Sequence, residues 1–291
     1  MSQGGYTLHE PLPGLRRPVL VAMLTGWIDA GGAAASAMEW VLEQTGPQRI
    51  ATFDGDVFID YRARRPTMEL RDGVNTKIIW PEIVLQGSDD PLQPVMTLSG
   101  PEPDAAWHRF AASVTELAVQ FDVGQAVFLG AYPFAAPHTR PSRVACTSPS
   151  AEFVRRSGLM VSTLDVPAGV GAVLEHSLTE AGIPSIGLWA QVPHYLGTMA
   201  YPPATLALLH TLRSISGIFV DTDIVFSEAL ALRERLDQLV ASNAEHRAMI
   251  EQLEIVYDQV DGGAAAVESG DLPDGDDLAA ELEQFLRDQD G

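Results

Sequence analysis

Cysteine and lysine are almost absent from this 291-residue chain, which holds one of each, Cys146 and Lys77. A single cysteine rules out an internal disulfide and any multi-cysteine metal site. With no G-x-G-x-x-G and no Walker lysine, nucleotide binding is only weakly suggested. Basic residues of every kind are scarce: 18 against 39 acidic ones, for a formal net charge of −21. Nucleic-acid binding needs clustered positive charge, so this balance argues against it. No run approaches the roughly 18 apolar residues of a membrane span. The chain is nonetheless 46% hydrophobic, ample for a buried core and too much for global disorder.

The acidity is uneven. Residues 1–218 carry 20 acidic and 14 basic side chains, residues 219–260 carry 9 and 3, and residues 261–291 carry 10 and 1. Near the start, Arg16-Arg17, the apolar residues 19–24 and Ala35-Ser36-Ala37 imitate a secretory signal. Glu10 and Asp29 interrupt that pattern, and residues 31–45 read as an amphipathic helix of the fold. A soluble cytoplasmic protein is expected.

Residues 19–24 form a short continuous apolar run, the signature of a strand buried on both faces. A glycine-rich loop and a helix-forming stretch follow. Residues 50–60, 76–85, 95–98 and 144–147 read as further strands, with Asp72-Gly73 as a turn. Residues 126–129 and 185–192 read as two more buried strands. Residues 102–121, 169–181 and 201–215 read as helices. This alternation predicts an α/β domain over residues 1–218 with a mainly parallel sheet. Ligands of such folds sit outside the carboxyl ends of the strands.

Between residues 222 and 260 the period changes to seven. Leu236, Asn243 and Ile250 fall in one series; Leu239, His246 and Leu253 fall in the other. This predicts a long helical extension, residues 219–260, whose seam serves oligomerisation or partner contact, with polar Asn243 and His246 fixing register. The alternative is a helix packed on its own domain. Residues 261–291 read as an acidic linker and a short amphipathic tail with Leu278, Leu282, Phe285 and Leu286 on one face.

Three strand-end loops hold the candidate chemistry. In the first, Asp29 either bonds a polar ligand group or caps the next helix, and Trp27 offers a stacking surface. In the second, His138-Thr139-Arg140 presents a planar cationic fork and a hydroxyl suited to phosphate or carboxylate, unless Arg140 pairs with an acid of the chain itself. In the third, His194 offers an acid or base and Tyr195 a stacking ring. These seven residues define a candidate ligand pocket. No catalytic set, metal or cofactor is expected from them.

Four phrases in order, Gly26-Trp27-Ile28-Asp29-Ala30-Gly31, Asp60-Tyr61-Arg62-Ala63-Arg64-Arg65-Pro66, Pro137-His138-Thr139-Arg140 and Val192-Pro193-His194-Tyr195, resemble the bacterial branch of the proteasome assembly chaperone 2 family. The resemblance covers about residues 6–216. It implies a three-layer α/β/α sandwich of nucleoside-phosphorylase-like shape, assembled as a homo-oligomer, and proteasome-related protein partners. Some bacterial members are labelled ATP-grasp ligases, but this sequence has no glycine-rich ATP loop and no evident magnesium carboxylate pair. Its ending, Asp288-Gln289-Asp290-Gly291, also departs from the hydrophobic-tyrosine-any signature for docking in proteasome α-ring pockets. The expectation is a non-enzymatic interaction or assembly-chaperone-like protein. The alternative is a nucleoside- or phosphate-like small-molecule binder or enzyme.

Overall fold

The apolar run after residue 18 is strand β2 (Val19–Thr25), and its alternation sorts two cores. Leu20 and Ala22 point into one apolar cluster, Val21 and Met23 into another, as a period of two requires of a strand covered on both faces. The structure, a computed structural model, describes residues 5–10, 14–88, 90 and 92–261.

The other strands are β1 (Tyr6–Leu8), β3 (Gln48–Phe53), β4 (Thr67–Arg71), β5 (Val74–Ile79), β6 (Val84–Ser88), β7 (Val95–Pro101), β8 (Gln125–Phe134), β9 (Val144–Thr147) and β10 (Ser185–Pro193). The helices are α1 (Ala33–Thr45), α2 (Gly55–Phe58), α3 (Trp107–Gln120), α4 (Ala151–Ser157), α5 (Val170–Glu180), α6 (Pro202–Ser216), α7 (Asp223–Ser242) and α8 (Ala244–Asp261). Eight strands form one sheet in the order β1-β3-β6-β7-β2-β8-β10-β9. Helices α1 and α6 cover one face through Met38 and Leu208, and α3 and α5 cover the other through Phe110 and Leu174.

The sheet is mixed rather than mainly parallel. Pairing is parallel only through the central β7-β2-β8-β10; β1, β3 and β6 on one flank and β9 on the other add antiparallel neighbours. The expected strand over 50–60 stops at Phe53, where the Asp54 side chain accepts the Asp56 N–H and starts α2. The expected 76–85 strand is two, β5 and β6. Strand β8 runs past Gly130 because that glycine lies inside the sheet, where an added Cβ would collide with the Trp189 ring. Strands β4 and β5 stand apart as a two-stranded sheet. Their turn is Asp72-Gly73, both with positive φ, as a tight hairpin requires.

The expected single helix over 219–260 breaks at Asn243. Its backbone is extended (φ −125°, ψ 124°), and its Oδ1 accepts the Glu245 N–H at 2.9 Å. Asparagine bonds the first amides of a helix better than it sits inside one, so Asn243 starts α8 instead of lying in a seam. The two helices pack on their own domain, the alternative to a seam open to a partner. Leu236, Ile250 and Leu253 are buried with α1 and α6, Leu239 is half-buried against the same cluster, and His246 is buried. Each buried leucine or isoleucine contributes about 1.5–3 kcal/mol in that position. The acidic segment and its apolar tail residues lie outside the described residues. No described helix is long and apolar enough to cross a membrane.

One buried acid sits between β9, β10 and α5. The Trp189 Nε1–H donates to Thr147 Oγ1 at 3.1 Å, and the Thr147 hydroxyl donates to Glu175 Oε1 at 3.1 Å. Burial pushes the Glu175 carboxyl up to about 8, with the threonine bond opposing. A raised carboxyl pKa means the native state holds a proton that the unfolded chain loses, so Glu175 lowers stability as pH rises from about 4.5 to 8. Glu175→Gln is expected to gain roughly 3 kcal/mol at pH 7 and little at pH 4, measured by urea unfolding at both values.

Candidate functional site

The loops after β2, β8 and β10 do converge. Gly31 N–H donates to Gly197 O at 2.7 Å, and Tyr201 N–H donates to Gly31 O at 3.2 Å. Asp29 forms an isolated backbone bridge with Ala131 of β8. Gly31 has φ +62°, and an added Cβ would meet Met199 O at 2.9 Å. The contact therefore needs glycine on both conformational and steric grounds.

Asp29 ties the start of α1. Its Oδ1 accepts the Ala34 N–H at 2.8 Å and its Oδ2 the Ala35 N–H at 3.0 Å. Gly32 immediately precedes the helix and has no side chain to do this. Burial raises the Asp29 pKa, while the two amide bonds lower it. Both carboxylate oxygens are thus engaged by backbone. Trp27 is 41% exposed and stands against Gly169 at the start of α5, beside Glu102, whose Oε1 accepts the Val170 N–H at 2.5 Å.

Tyr195 is not an exposed stacking ring. It is 2% exposed, and its hydroxyl oxygen accepts the His138 N–H at 2.8 Å and lies 2.8 Å from His138 Nδ1. A tyrosine carries a large apolar body with one polar tip, and here both are satisfied inside the protein. His194 packs edge-on to Tyr195 at 5.4 Å; its ring nitrogens are shielded from solvent and have no hydrogen-bond partner among the described residues.

The anion expected at Thr139 and Arg140 is supplied by the chain. Arg140 Nε and Nη2 bond the two Asp258 oxygens at 3.0 and 2.8 Å, and Nη1 bonds Glu254 Oε1 at 3.0 Å. The Thr139 hydroxyl donates to the same Glu254 oxygen. Hydrogen bonding to Asp258 raises the Arg140 pKa, and that bond lowers the Asp258 pKa. Glu254 and Asp258 are four residues apart on α8 and present one carboxylate pair to the arginine fork. Arg143, which sequence reasoning missed, lies 3.4 Å over the Tyr257 ring and bonds Tyr257 O at 3.1 Å. The Tyr257 hydroxyl returns a bond to Pro141 O at 2.7 Å. The spacing of the two α8 acids was the available signal for this contact.

Helix α7 holds the same loop from the other side. Arg233 Nη1 donates to His138 O at 3.0 Å, and its Nε donates to Asp237 at 2.8–2.9 Å. His138 Nε2 lies 3.3 Å from Asp237 Oδ1, outside hydrogen-bonding geometry. Burial holds His138 neutral, down to about 4; Asp237 opposes this and Arg233 adds to it. A cavity of about 340 Å³ opens beside these loops, lined by Gly31, Ser36, Met199, Tyr201, Thr205 and Glu228 among others. None of the seven expected pocket residues lines it.

The sequence model of the PAC2 family matches residues 23–240. The chain belongs to the PAC2 family. Three crystal structures resemble it closely. A Corynebacterium glutamicum protein of unknown function is 30% identical, with 87% of this chain and 97% of that one covered and a TM-score of 0.80. A Mycobacterium tuberculosis protein of unknown function is 32% identical, with 90% and 92% covered and a TM-score of 0.80. A proteasome-assembly chaperone homologue, also from Mycobacterium tuberculosis, is 30% identical, with 79% and 98% covered and a TM-score of 0.73. No curated protein matches the chain.

Two outcomes are expected of the loop contacts in this PAC2 protein. Unfolded His138 titrates near 6.5, so the native state binds fewer protons between pH 6.5 and 4 and loses stability as pH falls through that window. The loss approaches about 3 kcal/mol, and His138→Gln is expected to flatten it in urea unfolding compared at pH 7 and pH 4.5. Arg140→Ala is expected to speed amide hydrogen exchange along α8 while leaving α1 and α5 protected, as read by mass spectrometry.

Proposed function

We propose that this chain is a non-enzymatic, assembly-chaperone-like interaction protein, acting in the cytoplasm as a homo-oligomer on proteasome-related partners. The observation that carries this reading is its 30% identity with a proteasome-assembly chaperone homologue across 98% of that protein. The internal pairing of Thr139 and Arg140 with Glu254 and Asp258 supports it, because the groups best suited to a small anion already hold one. Helices on both faces of the sheet fit the α/β/α sandwich of nucleoside-phosphorylase-like shape that the resemblance implies. The acidic C-terminal segment suits partners with basic surfaces, in contacts that weaken with salt.

Proteasome α and β subunits assembled in vitro with and without the full-length chain test the reading. The chain is expected to co-precipitate with α subunits at low salt, less so at high salt, and to shorten the time to a complete particle on native gels. No co-precipitation together with unchanged assembly time would sink it.

A further inference from the structure

The connector between α6 and α7 alternates in burial. Ile218 and Val220 are buried, Phe219 is 51% exposed and Asp221 is exposed, which is the period of extended chain. No described strand pairs with it. Two glutamine side chains do so instead. Gln93 Oε1 accepts the Phe219 N–H at 2.6 Å, and its Nε2 donates to Phe219 O at 3.0 Å. Gln44 of α1 treats Asp221 the same way, at 2.7 and 2.9 Å. Arg213 lies 4.8 Å over the outward Phe219 ring. The backbone beneath a half-exposed aromatic side chain is therefore fixed from both ends. A contact residue held in place beforehand loses less freedom on binding.

The exposed row continues onto α7. Phe226 N–H donates to Thr222 O at 2.8 Å, so the connector joins the helix without a break. Val225, Ala229, Leu232 and Leu236 turn inward. Phe226 and Leu230, each 50% exposed, fall four apart on the outward face, and Asp223 and Glu234 extend that row on either side. Apolar side chains lined up in water mark a contact surface. Charge selects its occupant. Residues 219–232 include Asp221, Asp223 and Glu228 and no basic residue. The chain's own residues 261–291 hold ten acids and one arginine, and a second copy would bring the same acidic stripe. Both would oppose like charges, whereas a cationic surface complements the stripe.

We infer that Phe219, Phe226 and Leu230 dock a cationic amphipathic helix of another protein. The apolar side chains of that helix lie along the stripe, and its lysines or arginines face Asp221, Asp223 and Glu234. The inference rests on the partner-binding function proposed above and gives it a contact on the folded body, separate from the acidic C-terminal segment. It also supplies a surface that Leu236, Ile250 and Leu253 cannot, since those are buried within their own chain.

The test uses the full-length chain. The probe is a helical peptide of leucine and lysine, with leucines at i, i+3, i+4 and i+7, followed by fluorescence anisotropy. Phe226→Ala/Leu230→Ala is expected to weaken its binding by about tenfold or more with an unchanged far-UV spectrum, and Phe219→Ala to weaken it as well. Both variants keep the net charge, so attraction of the peptide to the acidic C-terminal segment is the same in every sample. Asp221→Lys/Asp223→Lys is expected to weaken binding and flatten its salt dependence. Peptide is expected to slow amide hydrogen exchange over residues 223–234 of the wild type. Equal affinity in the wild type and both alanine variants, or no slowing along α7, overturns the stripe. So does a sedimentation coefficient that Phe226→Ala/Leu230→Ala lowers, because the occupant is then a second copy. Co-precipitation with proteasome α subunits is a separate readout. Its absence in the wild type sinks the function proposed above and leaves the peptide to decide the stripe; its presence with equal peptide affinity in the variants does the reverse.

Discussion

The seating of Glu254 and Asp258 in the loop between β8 and β9 organises much of the structure around it. An arginine fork beside a threonine hydroxyl is a general receptor for anionic oxygen. In a chain so rich in acid, the nearest anion is a covalently attached one, held at high effective concentration. The receptor therefore becomes a latch for α8. Arg143 on Tyr257 and Arg233 on His138 O extend the latch to both helices. Behind it, Tyr195 holds His138 from the core side. The apolar side chains of α7 and α8 then complete the cluster shared with α1 and α6.

The latch places charge at two depths. Arg140 and Asp258 meet near the surface, where water and salt temper their attraction. Tyr195 and His138 lie deeper, where a neutral ring is the stable form. Glu175, on the far side of β10, is likewise held neutral by burial. The two groups respond oppositely to pH: the buried histidine favours the fold above its unfolded value of 6.5, the buried acid below its unfolded value of 4.5. Between about 4.5 and 6.5 their slopes oppose one another.

Much of the interior was legible in the sequence. Continuous apolar runs marked β2, β8 and β10, Asp72-Gly73 marked the hairpin turn, and Asp29 before two glycines and an alanine run marked a capping carboxylate. Strand direction was not legible, because an apolar run reads the same either way, so the antiparallel flanks escaped. Asn243 satisfied two patterns, a polar seam position and a helix start, and local hydrogen bonding to Glu245 decided for the second. Tyr195 looked like a ligand platform because its partner, His138, lies 57 residues away. In the candidate site, chain position identified the loops that meet, while the identity of what the His138–Arg140 loop holds depended on helices more than 90 residues further on.

The hairpin also carries Lys77, the only lysine of the chain, on an exposed stretch of β5. Amine chemistry on this protein therefore has one side-chain address. An acyl group, a fluorophore or an isopeptide-linked tag directed at lysine ε-amines arrives at a single point on the β4–β5 ribbon, and removing the cation there changes the charge of that ribbon alone. Composition has made the hairpin a site-selective handle without any recognition sequence.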